Sequence, residues 1–175
     1  MRLGPRLISR IALFSALVYV LSLGTVYLPN VNLIFFLVFS AGFLWGAVPG
    51  LLVGSIGMWL WTSFNPFGPA ALPLALTQVA GAAASGIVGD VFRRGDWRHR
   101  GRMVLTIWLI VAAVVCTAAF YLPVSAVDAW LFQPFWPRFL ISLLWSGVSL
   151  ASNVLIFPLL FGVVRRLYER EKDPE

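Results

Sequence analysis

Residues 33–63 read LIFFLVFSAGFLWGAVPGLLVGSIGMWLWTS, a stretch with no charged side chain that Pro49 divides near its middle. How often it crosses a bilayer decides the fold. A hydrocarbon core of about 30 Å takes roughly 20 apolar residues per helix. Divided at residue 49, the stretch supplies runs at 33–48 and 50–63, each of about fifteen residues, or about 23 Å at 1.5 Å per residue. Working outward, longer apolar runs lie at 8–27, 70–92, 103–122 and 139–164. The chain therefore predicts one all-α integral membrane domain over 1–175 with six transmembrane helices. A re-entrant hairpin at 33–63 is the alternative; it leaves four full crossings and the same parity.

Composition sets the solvent. Of 175 residues, 60% are apolar and 11% charged, and the mean hydropathy is +0.89. A water-soluble domain carries about twice that charged fraction. The isoelectric point of about 10.5 raises the question of nucleic acid, but that partner needs a folded basic surface, whereas these arginines stand in short clusters between apolar runs. The clusters are Arg2, Arg6 and Arg10; Arg93, Arg94, Arg98, Arg100 and Arg102; and Arg165, Arg166, Arg170 and Lys172. Cytoplasmic loops carry the excess of Lys and Arg. Six spans place every basic residue except Arg138 on that side, with both termini cytoplasmic. The first run is too long for a signal peptide and is followed by GTVYLPN rather than a small-residue cleavage site, so it is expected to remain. The lone Cys116 and the lone His99 offer neither a thiol pair nor a metal site. No cofactor is expected.

Polar residues inside the spans crowd toward the outer side. Ser142, Ser146, Ser149 and Asn153 fall at i, i+4, i+7 and i+11, on one face of helix six. Beyond Asn153 that face continues as Phe157 and Leu160. Such groups in lipid are satisfied by a wet cavity or by neighbouring helices, and the spacing alone leaves both open. Gln78, Thr117, Tyr121, Asn30 and Asn32 repeat the asymmetry and outline a pocket opening outward. Aromatic residues surround it, Trp59, Trp61, Phe64, Phe67 and Trp130 among them, and an aromatic cleft with few polar groups suits a small molecule. Asp128 and Arg138 are the charges outside, able to meet a substrate or each other. The hexapeptide FNPFGP at 64–69 reads as a shaped outer loop with Asn65 turned toward the solute. Ala12 and Ala16 form a small-residue face on helix one.

RIALFSALVYVLS (10–22), LPNVNLIFFLVFSAGFLWGAVPGLLVG (28–54) and SFNPFGPAALPLALTQVAG (63–81), in this order and spacing, resemble the substrate-binding S component of energy-coupling factor (ECF) transporters. The resemblance implies a six-helix bundle in the bacterial cytoplasmic membrane that binds a vitamin or related micronutrient near the outer surface. It implies contacts from the segments of Asn30 and Asn65 and from helices four to six. It also implies docking of Ala12 and Ala16 on a transmembrane coupling subunit that works with two ATPase subunits. The chain has no G-x-x-x-x-G-K-[ST] phosphate loop of its own. A flat, weakly charged heterocycle is the expected solute. The rival readings are a non-transporting scaffold similar to the cell-shape protein MreD and an intramembrane enzyme. The enzyme is disfavoured because the spans hold no histidine and, of the acids, only Asp90 at a helix end.

Overall fold

The computed structural model of the chain describes residues 4–28, 31–95 and 97–172. They form six helices: α1 Pro5–Gly24, α2 Ile34–Trp45, α3 Ala47–Phe64, α4 Leu72–Arg94, α5 Arg102–Leu131 and α6 Phe135–Lys172. All but α2 are long and apolar enough to cross a membrane. At 12 residues, α2 is about 18 Å long, shorter than the hydrocarbon core.

Its shortness has a local cause. Gly46 has φ 103°, a left-handed conformation that glycine adopts without a Cβ penalty. Its N–H closes α2 on the Gly42 carbonyl, and its own carbonyl accepts from Gly50 N–H to open α3. Pro49 falls in the first turn of α3, where its missing donor costs nothing. The run expected at 33–48 thus ends at Trp45, and the chain reverses on one residue.

Every residue of α2 except Leu37 and Trp45 is buried, as a helix apolar on all sides should be. Phe35 meets Phe120 of α5 at 5.1 Å between ring centroids, Phe39 meets Phe92 of α4 at 5.5 Å and Phe157 of α6 at 5.1 Å, and Phe43 meets Phe161 at 5.2 Å. Lipid tails are as apolar as these rings, so close packing rather than escape from water must hold the helices together. Glycines permit it. A Cβ on Gly50 would stand 2.8 Å from both the Gly42 and the Gly86 Cα, and one on Gly42 would collide with the Gly86 carbonyl oxygen. Backbones of α2, α3 and α4 meet at that crossing.

The two ends of the bundle differ in charge. Arg10 pairs with Glu171 at 3.1 Å, and the Trp45 indole N–H donates to the same carboxylate. Asp90, 3% exposed, is held by Arg93 and Arg94. Arg98 lies 5.2 Å from the centroids of both Trp97 and Tyr168. These contacts gather the start of α1 and the ends of α2, α4 and α6 at one end. Arg138 is at the other, paired with Asp128 at 2.6 Å. Here α5 and α6 run past their expected limits at 122 and 139, and the Asp128–Arg138 pair ties the extended hairpin together.

Candidate ligand cavity

At the end away from the arginine clusters, the helices part around a cavity of about 540 Å³, inside the roughly 300–1,000 Å³ range of small-molecule sites. The end of α1 contributes Ser22 and Thr25, the start of α2 Asn32 and Phe35, α3 Met58 and Trp61, α4 Gln78, α5 Phe120 and Tyr121, and α6 Trp145. Phe67, from the loop between α3 and α4, also borders it.

The polar atoms on this wall are not equivalent. Ser22 Oγ donates to the Val18 carbonyl at 2.6 Å and Thr25 Oγ1 to the Leu21 carbonyl at 3.0 Å, so both protons are engaged in α1 itself. The Tyr121 hydroxyl is 2.6 Å from Ser149 Oγ. Asn32 Oδ1 is different: it is buried and accepts no hydrogen bond. Leaving such an acceptor unpaired costs about 1–3 kcal/mol. The lining contains no Asp, Glu, Lys or Arg, so the cavity suits a neutral solute with a flat apolar body.

Of the residues singled out from sequence, Asn32, Trp61, Gln78 and Tyr121 come together here. Asn30 lies outside the described residues. Asn65 faces its own loop: Nδ2 donates to the Trp61 and Gly68 carbonyls at 3.1 and 2.8 Å, and Oδ1 accepts from Phe67 N–H at 2.9 Å. It thereby sets the turn that presents Phe67. With Gly68 at φ 92° and Ala70 N–H bonded to the Thr62 carbonyl, FNPFGP is a rigid rim.

The stripe on α6 lies against α5. Ser142 Oγ is 2.7 Å from Ser125 Oγ, Ser149 meets Tyr121, and Asn153 Nδ2 donates to Thr117 Oγ1 at 3.2 Å. Ser146 donates to the Leu143 carbonyl in its own helix. The partners Thr117, Tyr121 and Ser125 recur every four residues, a matching stripe that was visible in the sequence. Asp128 and Arg138 border a separate hollow of about 410 Å³ beyond this interface. Ala12 and Ala16 are exposed on α1, along a shallow apolar groove shared with Leu52 and Ile56 of α3.

Ser22, Thr25, Met58 and Trp145 were not singled out beforehand. Ser22 and Thr25 carried a signal, two hydroxyls closing an apolar run; Met58 and Trp145 carried none, being ordinary apolar residues of a span. No cluster of three or more His, Cys, Asp or Glu suited to a metal is present among the described residues.

Comparison with known protein families, with curated proteins and with solved structures finds no match to this chain.

Proposed function

We propose that this multi-pass membrane protein is the substrate-binding subunit of an importer of the ECF S-component type. It captures a vitamin-like heterocycle from outside and releases it inward when joined to a coupling subunit and two ATPases. The observation that carries this reading is the cavity with the unpaired Asn32 Oδ1, walled by aromatic rings, at the end of the bundle away from the arginine clusters. Gathering of the basic clusters at one end supports a topology of six passages with both termini in the bacterial cytoplasm, α2 being a short, fully enclosed passage. The exposed Ala12–Ala16 face leaves α1 free to meet a coupling subunit.

Binding in this cavity would proceed by exchange of water for ring contacts and for one donor hydrogen bond to Asn32. Gln78 and Tyr121 would then fix orientation, while Phe67 on its rigid rim closes over the solute. The residues bind and orient; none is arranged to break a bond in it.

The MreD-like scaffold is favoured by one observation: the α6 stripe is consumed in helix packing. Mass spectrometry of small molecules that co-purify with the detergent-solubilised chain separates the two readings. An aromatic heterocycle with a ring N–H or amino donor is expected, at close to one per chain. A preparation that carries none, and binds none from a panel of such compounds, sinks the importer reading.

A further inference from the structure

One polar side chain on the cavity wall is not engaged by the protein, and what it can recognise rests on the proposal that this cavity holds the solute. Gln78 lies half-buried on α4, about one turn outward of Gly81. A Cβ on Gly81 would stand 2.8 Å from the Phe120 Cα, so α4 touches α5 at that level. Gln78 shares this face of α4 and borders the space that opens just beyond the contact. The hydroxyls of Ser22, Thr25 and Tyr121 are all engaged within the protein. The Gln78 amide, by contrast, has no hydrogen-bond partner among the described residues.

The surroundings limit what can meet that amide. Phe35, Phe120 and Tyr121 line the same cavity with ring centroids 5.1 to 6.0 Å apart, a cluster against which a flat body can lie. No charged side chain is in the lining, and Asp128 and Arg138 at this end are paired with each other. A carboxylate or phosphate would therefore enter uncompensated, which burial makes costly. The polarity of the solute falls to amides. A primary amide offers a C=O acceptor and an N–H donor side by side in one plane. The edge that completes it is an N–H next to an acceptor, with two bonds formed together, as when glutamine pairs with the N6 and N7 edge of adenine. Asn32 Oδ1 on the same wall is a further acceptor.

We propose that Gln78 determines the specificity of the cavity, and that the solute is a neutral fused heterocycle with an N–H adjacent to a C=O or ring nitrogen on one edge, as in a lactam or an aminopyrimidine. The aromatic rings hold its faces and Gln78 reads that edge. Methylation of the edge nitrogen defeats the match, because it removes the donor and leaves the Gln78 carbonyl without a bond.

The test is isothermal titration of the full chain in detergent, washed free of bound solute, with quinazolin-4-one, its 3-methyl derivative and quinoline-2-carboxylate. The lactam should bind about fivefold to 150-fold more tightly than the N-methyl compound, the range that a bidentate amide pair confers, and the carboxylate should not bind. Gln78→Met, close in shape but without the amide, should bring the lactam down to the affinity of the N-methyl compound and leave the latter unchanged. A merely structural role for Gln78 would lower both together. Equal affinities in the wild-type chain, an undiminished ratio in Gln78→Met, tighter binding of the carboxylate, or no binding of the lactam overturns the proposal. Its failure is distinct from failure of the importer reading: a co-purified aromatic heterocycle that lacks such an edge keeps the importer and removes the role of Gln78, whereas a chain that carries and binds no heterocycle removes both.

Discussion

The α5–α6 interface and the cavity beside it share a side chain, Tyr121, and carry similar polar groups, yet one is closed and the other open. In the interface the hydroxyls of Thr117, Tyr121 and Ser125 recur every four residues and meet Asn153, Ser149 and Ser142. Two matched stripes meet, leaving Asn153 Oδ1 as the buried atom of the interface without a partner. Around the cavity the polar groups come from α1, α4, α5 and the α1–α2 connection, at positions set by no common repeat, and Asn32 Oδ1 has no partner. Asn153 Oδ1, inside the closed interface, is likewise without a partner, so what sets Asn32 apart is its place on the cavity wall. Polarity on a transmembrane helix is therefore not itself a sign of a pore or pocket; what matters is whether the facing helix has the complementary spacing.

The most damaging change would remove both regions together. Gly50→Leu inserts a side chain where even a Cβ stands 2.8 Å from two backbone carbons, at the crossing that holds α2 against α3 and α4. Overpacking of this kind costs about 3 kcal/mol or more. A large fall in thermal unfolding temperature, with loss of the monodisperse peak in size-exclusion chromatography, is expected; an unchanged melting curve would show that the crossing is looser than drawn here.

Next in size is a change on the wall of the open region. Asn32→Leu removes the unpaired acceptor together with the side-chain bond to Tyr121, so stability should change little while affinity for the co-purified solute falls about fivefold to 150-fold, the equivalent of about 1–3 kcal/mol. Isothermal titration and a melting curve on the same preparation check both halves. Equal affinity in the variant would mean that the solute, if any, sits elsewhere.

Much of this contrast could be read in the sequence, and the part that could not has a physical reason. The arginine clusters and the apolar runs carry the bundle and its charged end, because charge and hydropathy act over whole segments. A break inside 33–63 was legible but placed at residue 49; its place at Gly46 depends on one backbone torsion. Asn65 shows the limit of local reading: in NPFG a short amide finds its own turn before it finds a ligand, and its hydrogen bonds stay within the loop and the end of α3. The α6 stripe left cavity and packing open because one helix seen alone does not reveal what faces it. Thr117, Tyr121 and Ser125 were the missing half, legible once helix five is searched for the same period.

The smallest effect sharpens the comparison most. Ser125 and Ser142 form the outermost rung of the closed interface, 2.7 Å apart, and neither lines the cavity. Interhelical hydrogen bonds measured by double-mutant cycles in a membrane protein average about 0.6 kcal/mol, because the separated helices find other partners in the bilayer. Ser125→Ala, Ser142→Ala and the double variant should therefore show a coupling of about that size in a denaturation cycle, with solute affinity unchanged in all three. The two readouts divide the possibilities cleanly. A coupling near zero would mean the rung is incidental and that helix shape alone closes the interface. A loss of affinity would mean that the interface and the cavity are one device, the stripe holding Tyr121 in place for the solute, and the distinction between closed and open regions would fail at the residue they share.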